Sequence, residues 1–120
     1  MDGIIIEKIP VNRFFKRRVK FHFGMFVWVA IAEKHNKMLD DLGEIDPEQL
    51  GADALYFAAK WGAFTEGKTF VSYEKFEKWL EFIPARQMNR ITKAMQSSQI
   101  GGKTVMQYAQ EGKKKQAQKK

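Results

Sequence analysis

The sequence predicts a mainly α-helical protein: a compact four-helix domain entered through a short β segment and followed by a basic C-terminal tail. Three observations predict it. Apolar residues recur every three or four positions through much of the stretch from 24 to 99, which is the period of a helix. Val19, Phe21 and Phe23 instead alternate with Arg18, Lys20 and His22, the period of a half-buried strand. The closing "EGKKKQAQKK" has no aromatic or branched apolar residue to bury and is expected to stay disordered. The predicted organisation is one domain over 1–105 and a flexible tail over 106–120.

The elements follow in order. "IIIEKI" and "RVKFHF" read as a strand pair over Ile4 to Phe23, joined through Pro10 and Asn12. The basic run Arg13, Lys16, Arg17 and Arg18 falls in or beside that connection, as a solvated loop or a contact for a polyanion. The first helix spans about 24–38 and is apolar nearly all round for two turns, so it needs cover on most sides from its own domain or from a partner. The second helix, 47–65, opens with Asp46 as cap, Pro47 at the first helical position and Gln49 where a capping-box partner reaches back. Its expected buried face carries Leu50, Ala54, Phe57, Ala58, Trp61 and Phe64. A third helix, 73–83, begins at Ser72 between the staple residues Val71 and Phe76 and stops before Pro84. The fourth, about 85–99, places Met88, Ile91 and Ala94 or Met95 along one stripe and ends at Gly101 and Gly102. Trp28, Trp61 and Trp79 fall one to each of the first three helices and are expected to pack in the core.

Bulk composition narrows the function. The 120 residues carry a net charge of +7, but residues 1–20 hold +4, residues 113–120 hold +5, and the middle is −2. A basic tail of this kind either solubilises the chain or meets a nucleic acid or acidic surface. With no cysteine, disulfides, thiolate metal sites and thiol catalysis are excluded. The longest apolar run, Phe23 to Ala32, is too short for a membrane span, and the N-terminus lacks the features of a secretory signal.

"GAFTEGKT", Gly62 to Thr69, matches the phosphate-binding loop pattern, whose glycine-rich backbone cradles phosphates. That mechanism requires a strand running into the loop and a helix beginning at the lysine. Here a helix enters instead, and the next helix starts only after Ser72, so Gly67 is expected to be a left-handed helix stop. No catalytic set assembles elsewhere. His22 and His35 read as surface histidines, and no cofactor is implied. Asp40, Asp41, Glu44 and Asp46 lack the spacing of a calcium loop and read as a polar loop and helix cap, without a metal.

The runs "FHFGMFVWVAIAEKHNK", "LGADALYFAAKWGAF", "FVSYEKFEKWLEFIP" and "AMQSSQIGGKTV" together resemble the tail assembly chaperones of long-tailed bacteriophages and prophages. The resemblance covers roughly Val19 to Val105. It implies a non-enzymatic protein of the bacterial host cytoplasm that binds the tape-measure protein, alongside other tail proteins, before the tail tube polymerises. On that expectation Phe26, Val27, Trp28 and Ile31 are the candidate contact residues, presented for helix-in-groove recognition. Two other classes stay open: a small basic nucleic-acid-associated adaptor, and a structural subunit that forms homo-oligomers through its apolar helix.

Overall fold

A computed structural model describes residues 3–97 and the backbone of 99–100 and 103–104. The elements are β1 (Ile4–Pro10), β2 (Lys16–His22), α1 (Met25–His35), a 3-10 turn (Leu39–Glu44), α2 (Pro47–Thr65), α3 (Tyr73–Leu80), α4 (Ala85–Ser97), β3 (Gln99–Ile100) and β4 (Lys103–Thr104). The protein is thus mainly helical with a two-stranded antiparallel sheet at its N-terminus. The lysine-rich 106–120 segment lies outside the described residues.

The hairpin pairs Ile4 with His22 through to Pro10 with Lys16. Its connection is fixed locally: Asn12 Oδ1 accepts the N–H groups of Phe14 and Phe15 at 2.8 and 2.9 Å, so a side chain replaces the backbone partner those groups lack. The predicted alternation holds in β2, where Val19 and Phe21 are buried and Arg18 faces out, and Phe23 continues the buried row. In β1 the register decides which isoleucines face inward. Ile9 is buried and Ile5 partly so, while Ile4 and Ile6 are exposed.

α1 stops at His35, three residues before the predicted end at about 38. Asn36 takes a left-handed φ of 53°. The Lys37 N–H then donates to Ala32 O and the Asn36 N–H to Glu33 O, which closes the helix end and satisfies two orphan carbonyls. The predicted polar loop at Asp40, Asp41 and Glu44 is wound into the 3-10 turn, which buries Leu42.

α2 is the central element. β2, α1 and α3 all pack on it, and its buried arc runs through Leu55, Ala58, Ala59 and Gly62. The closest approach is at Gly62, where a Cβ would lie 1.9 Å from the Lys20 carbonyl oxygen. Only glycine lets the helix reach the strand backbone there. The expected capping box does not form: Asp46 makes no side-chain cap bond, and Gln49 Nε2 points to Asp53 and Tyr73 instead.

α3 starts as predicted, with Ser72 Oγ accepting from the Lys75 N–H, but it ends at Leu80 rather than 83. The residue before Pro84 is pushed out of helical backbone, and a turn closed by Phe82 N–H to Trp79 O intervenes. Phe76 and Trp79 of α3 join Phe21 and Tyr56 in an aromatic core. α4 docks on β1, burying Ile91, with Gln87 Nε2 donating to Lys8 O at 2.8 Å and Arg90 gripping Glu7 at 2.7 Å.

Candidate functional site

α1 and α2 run antiparallel, with Phe26 beside Trp61 at one end and Lys34 beside Asp53 at the other. This arrangement sorts the four residues the sequence nominates for partner contact. Val27, Trp28 and Ile31 are at most 1% exposed, because they form the α1 face that packs into the core. They are corrected from contact residues to core residues. Phe26 is 61% exposed and alone among the four reaches the surface.

Phe26 is not isolated there. Its ring stacks on Trp61 at 4.1 Å and 24°, and Trp61 stacks on Phe64 at 5.1 Å and 19°. Phe64, expected in the core, is 67% exposed, and Phe57 and Trp61 are only partly buried. The reason is geometric. At about 100° per residue, positions 57, 61 and 64 lie on the side of α2 away from 55, 58, 59 and 62. α2 therefore carries two apolar stripes, of which the core uses one. The second, with Phe26 and Ala30 from α1 and Lys60 at its rim, lines an open groove of about 250 Å³. Stacked rings left in water at the i, i+4, i+7 spacing of a packing face form a surface suited to covering by a partner.

Further along the same helix pair the stripe is closed by a polar cluster. Asp53 is fully buried and receives Lys34 Nζ at 2.7 Å, Gln49 Nε2 at 2.8 Å and a His35 Nε2 contact of 2.6 Å. Burial pushes the Asp53 carboxyl up, but Lys34, His35, Tyr73 and Gln49 outweigh it and hold the carboxyl below its usual range. Burial, reinforced by neighbouring Asp53, raises the Tyr73 phenol to about 12. His35 is thus a structural partner rather than the surface histidine expected. His22 packs its ring 6.4 Å from Trp61. The cluster ties α1, α2 and α3 together, and its carboxylate oxygens are already engaged by donors.

The nominated cations Arg13, Lys16, Arg17 and Arg18 are all exposed on the hairpin. Two have local duties: Arg18 holds Glu66 through two bonds of 3.0 Å, and Arg17 lies 5.5 Å from the Trp79 ring centroid. Between Arg13 and Lys16 the tip carries Phe14 and Phe15, 86% and 66% exposed, which no periodicity in the sequence marks as a surface pair.

The phosphate-loop pattern dissolves into helix geometry. Gly62 is the point of contact with β2, and Gly67 has φ +71° and follows the last turn of α2. Lys68 N–H donates to Ala63 O and Gly67 N–H to Phe64 O, the helix stop expected there. Among the described residues no group of three acidic or histidine side chains is placed to hold a metal, and no helix is long and apolar enough to cross a membrane. Comparison with protein-family models, curated proteins and solved structures gives no match for the chain.

Proposed function

We propose that the chain is a non-enzymatic tail assembly chaperone of a long-tailed bacteriophage or prophage, acting in the host cytoplasm, and that it docks an amphipathic helix of the tape-measure protein. The observation that carries the docking is the exposed Phe26–Trp61–Phe64 stack along an open groove. The client's identity comes from the resemblance in the sequence. A helix laid along this groove would bury three aromatic side chains, the residue class that dominates binding energy at interfaces. Lys60 at the rim favours a client helix with an acidic residue flanking its apolar face.

The test is co-expression with the products of neighbouring genes. The proposal expects the tape-measure protein to co-purify with the wild-type chain and to be lost with Phe26→Ser/Phe64→Ser. Equal capture by both would remove the groove from the account. A wild-type chain that captures no tape-measure protein and instead doubles its mass with concentration would favour the self-associating subunit.

A further inference from the structure

Lys68 and Thr69 lie in the turn after α2 and line a pocket against the hairpin. The turn after α2 folds back against the strand β2, and the two enclose a pocket of about 110 Å³ lined by Arg17, Arg18, Lys20, Glu66, Lys68 and Thr69 among others. At about 30 Å³ per water, this is room for a few solvent molecules or one tetrahedral oxyanion. The charges are unequal: with Arg17 turned to the Trp79 ring, three cations, Arg18, Lys20 and Lys68, share this lining with one carboxylate, Glu66. Glu66 is drawn below the usual carboxylate range, first by its bonds to Arg18, with Lys68 and Lys20 contributing. Glu66 pairs with Arg18, so the single carboxylate cannot also balance Lys20 and Lys68, which line the same pocket. The opposing field of the α2 C-terminus is weak by comparison, about half a charge, and its Ala63 and Phe64 carbonyls already accept from the turn.

We propose that this pocket binds a phosphate group, held by Arg18, Lys20 and Lys68 with the Thr69 hydroxyl as an additional donor. Arg18 retains guanidinium N–H groups beyond the two bonded to Glu66, and among the described residues Lys20 Nζ makes one long bond, 3.3 Å to Thr65 Oγ1. The site is unlike a nucleotide loop, because side-chain cations of a strand and a helix stop do what backbone amides do there. The phosphate could belong to a small anion or to a nucleic-acid strand. A strand would continue along β2 towards Lys16 and Arg13, where the bare rings of Phe14 and Phe15 offer stacking platforms. The proposal stands independently of the tape-measure reading.

The test titrates the full-length protein, followed by backbone-amide NMR, separately with inorganic pyrophosphate and with a short single-stranded oligonucleotide. Saturable shifts at Lys20, Lys68 and Thr69 are expected with at least one of them. Lys20→Gln/Lys68→Gln should weaken that binding about tenfold or more at an unchanged melting temperature. Phe14→Ala/Phe15→Ala identifies the source: a strand loses affinity, whereas pyrophosphate does not. Shifts confined to residues outside the pocket, or affinity unchanged in the double lysine variant, would overturn the site and assign any binding to the lysine-rich tail.

Discussion

Replacing Gly62 by alanine sets two effects of opposite sign against each other. In a helix interior alanine is favoured over glycine by about 1 kcal/mol, so a Gly62 kept only for a glycine-rich motif would give a more stable variant. The structure predicts the reverse. The added Cβ would lie 1.9 Å from the Lys20 carbonyl oxygen and 2.7 Å from its carbon, both backbone atoms. A carbon and a carbonyl oxygen rest about 3.4 Å apart at closest, so helix and strand must separate by roughly 1.5 Å at the centre of the fold. Overpacking of this kind costs about 1–3 kcal/mol, and here the far side is backbone that cannot change rotamer. The net expectation is a loss of about 2 kcal/mol, at the upper end of that range once the propensity gain is subtracted. Gly51, on the same helix, has nothing within 4 Å of its would-be Cβ and serves as the control, with an expected gain of about 0.5–1 kcal/mol for Gly51→Ala. Urea denaturation of both variants measures the difference. A Gly62→Ala protein as stable as Gly51→Ala would refute the packing of α2 on β2.

Three further outcomes are expected. Trp28→Ala should lose about 3–5 kcal/mol of unfolding free energy because it empties a fully buried site, whereas Phe26→Ser and Phe64→Ser should fall within about 0.5 kcal/mol of wild type in the same denaturation series. Asp53 has a depressed folded-state pKa, so its contribution is complete above the unfolded value of 3.8 and is lost as pH falls below it; Asp53→Asn should cost about 1–3 kcal/mol at neutral pH and flatten the acid limb of a stability–pH curve. Tyr73 is raised instead, so its contribution is complete below its unfolded value of 10.0 and is lost as pH rises towards about 12; Tyr73→Phe should flatten that alkaline limb, read by circular dichroism.

Much of this fold is legible in the sequence because local rules suffice for it. Ser72 before "YEKFEKWL" and the glycine after α2 mark their helix boundaries through backbone chemistry that no tertiary contact overrides. The end of α1 is less legible, since Asn36 is only an occasional left-handed stop and sits inside the polar run Glu33 to Lys37, which carries no other stop signal. The exposed aromatic stack is only half legible. Phe26 follows from an apolar helix with no polar side, but its neighbours Val27, Trp28 and Ile31 cannot be told from it by type. Which of them face the core depends on where α2 lies, a long-range fact. The surface positions of Phe64 and, in part, Trp61 are hidden for the same reason. A helix with apolar residues at 55, 58 and 59 and again at 57, 61 and 64 has more than one buried face requires, and that surplus was the available signal. Only one contact of the Asp53 cluster is legible, the i, i+4 pair with Gln49 on α2; Lys34, His35 and Tyr73 come from two other helices, and no local spacing brings them to Asp53.

As a proposed docking surface, the stacked rings of Phe26, Trp61 and Phe64 must bind a helical client directly. The most direct test is calorimetric titration of the purified chain with helical segments of the tape-measure protein, alongside the Phe26→Ser/Phe64→Ser variant and its unfolding curve. Saturable binding is expected, weakened in the variant by about 30-fold or more, the loss expected of a hot-spot ring, while stability is unchanged. Binding of equal strength in the variant, or none by the folded wild-type chain to any segment, would contradict it.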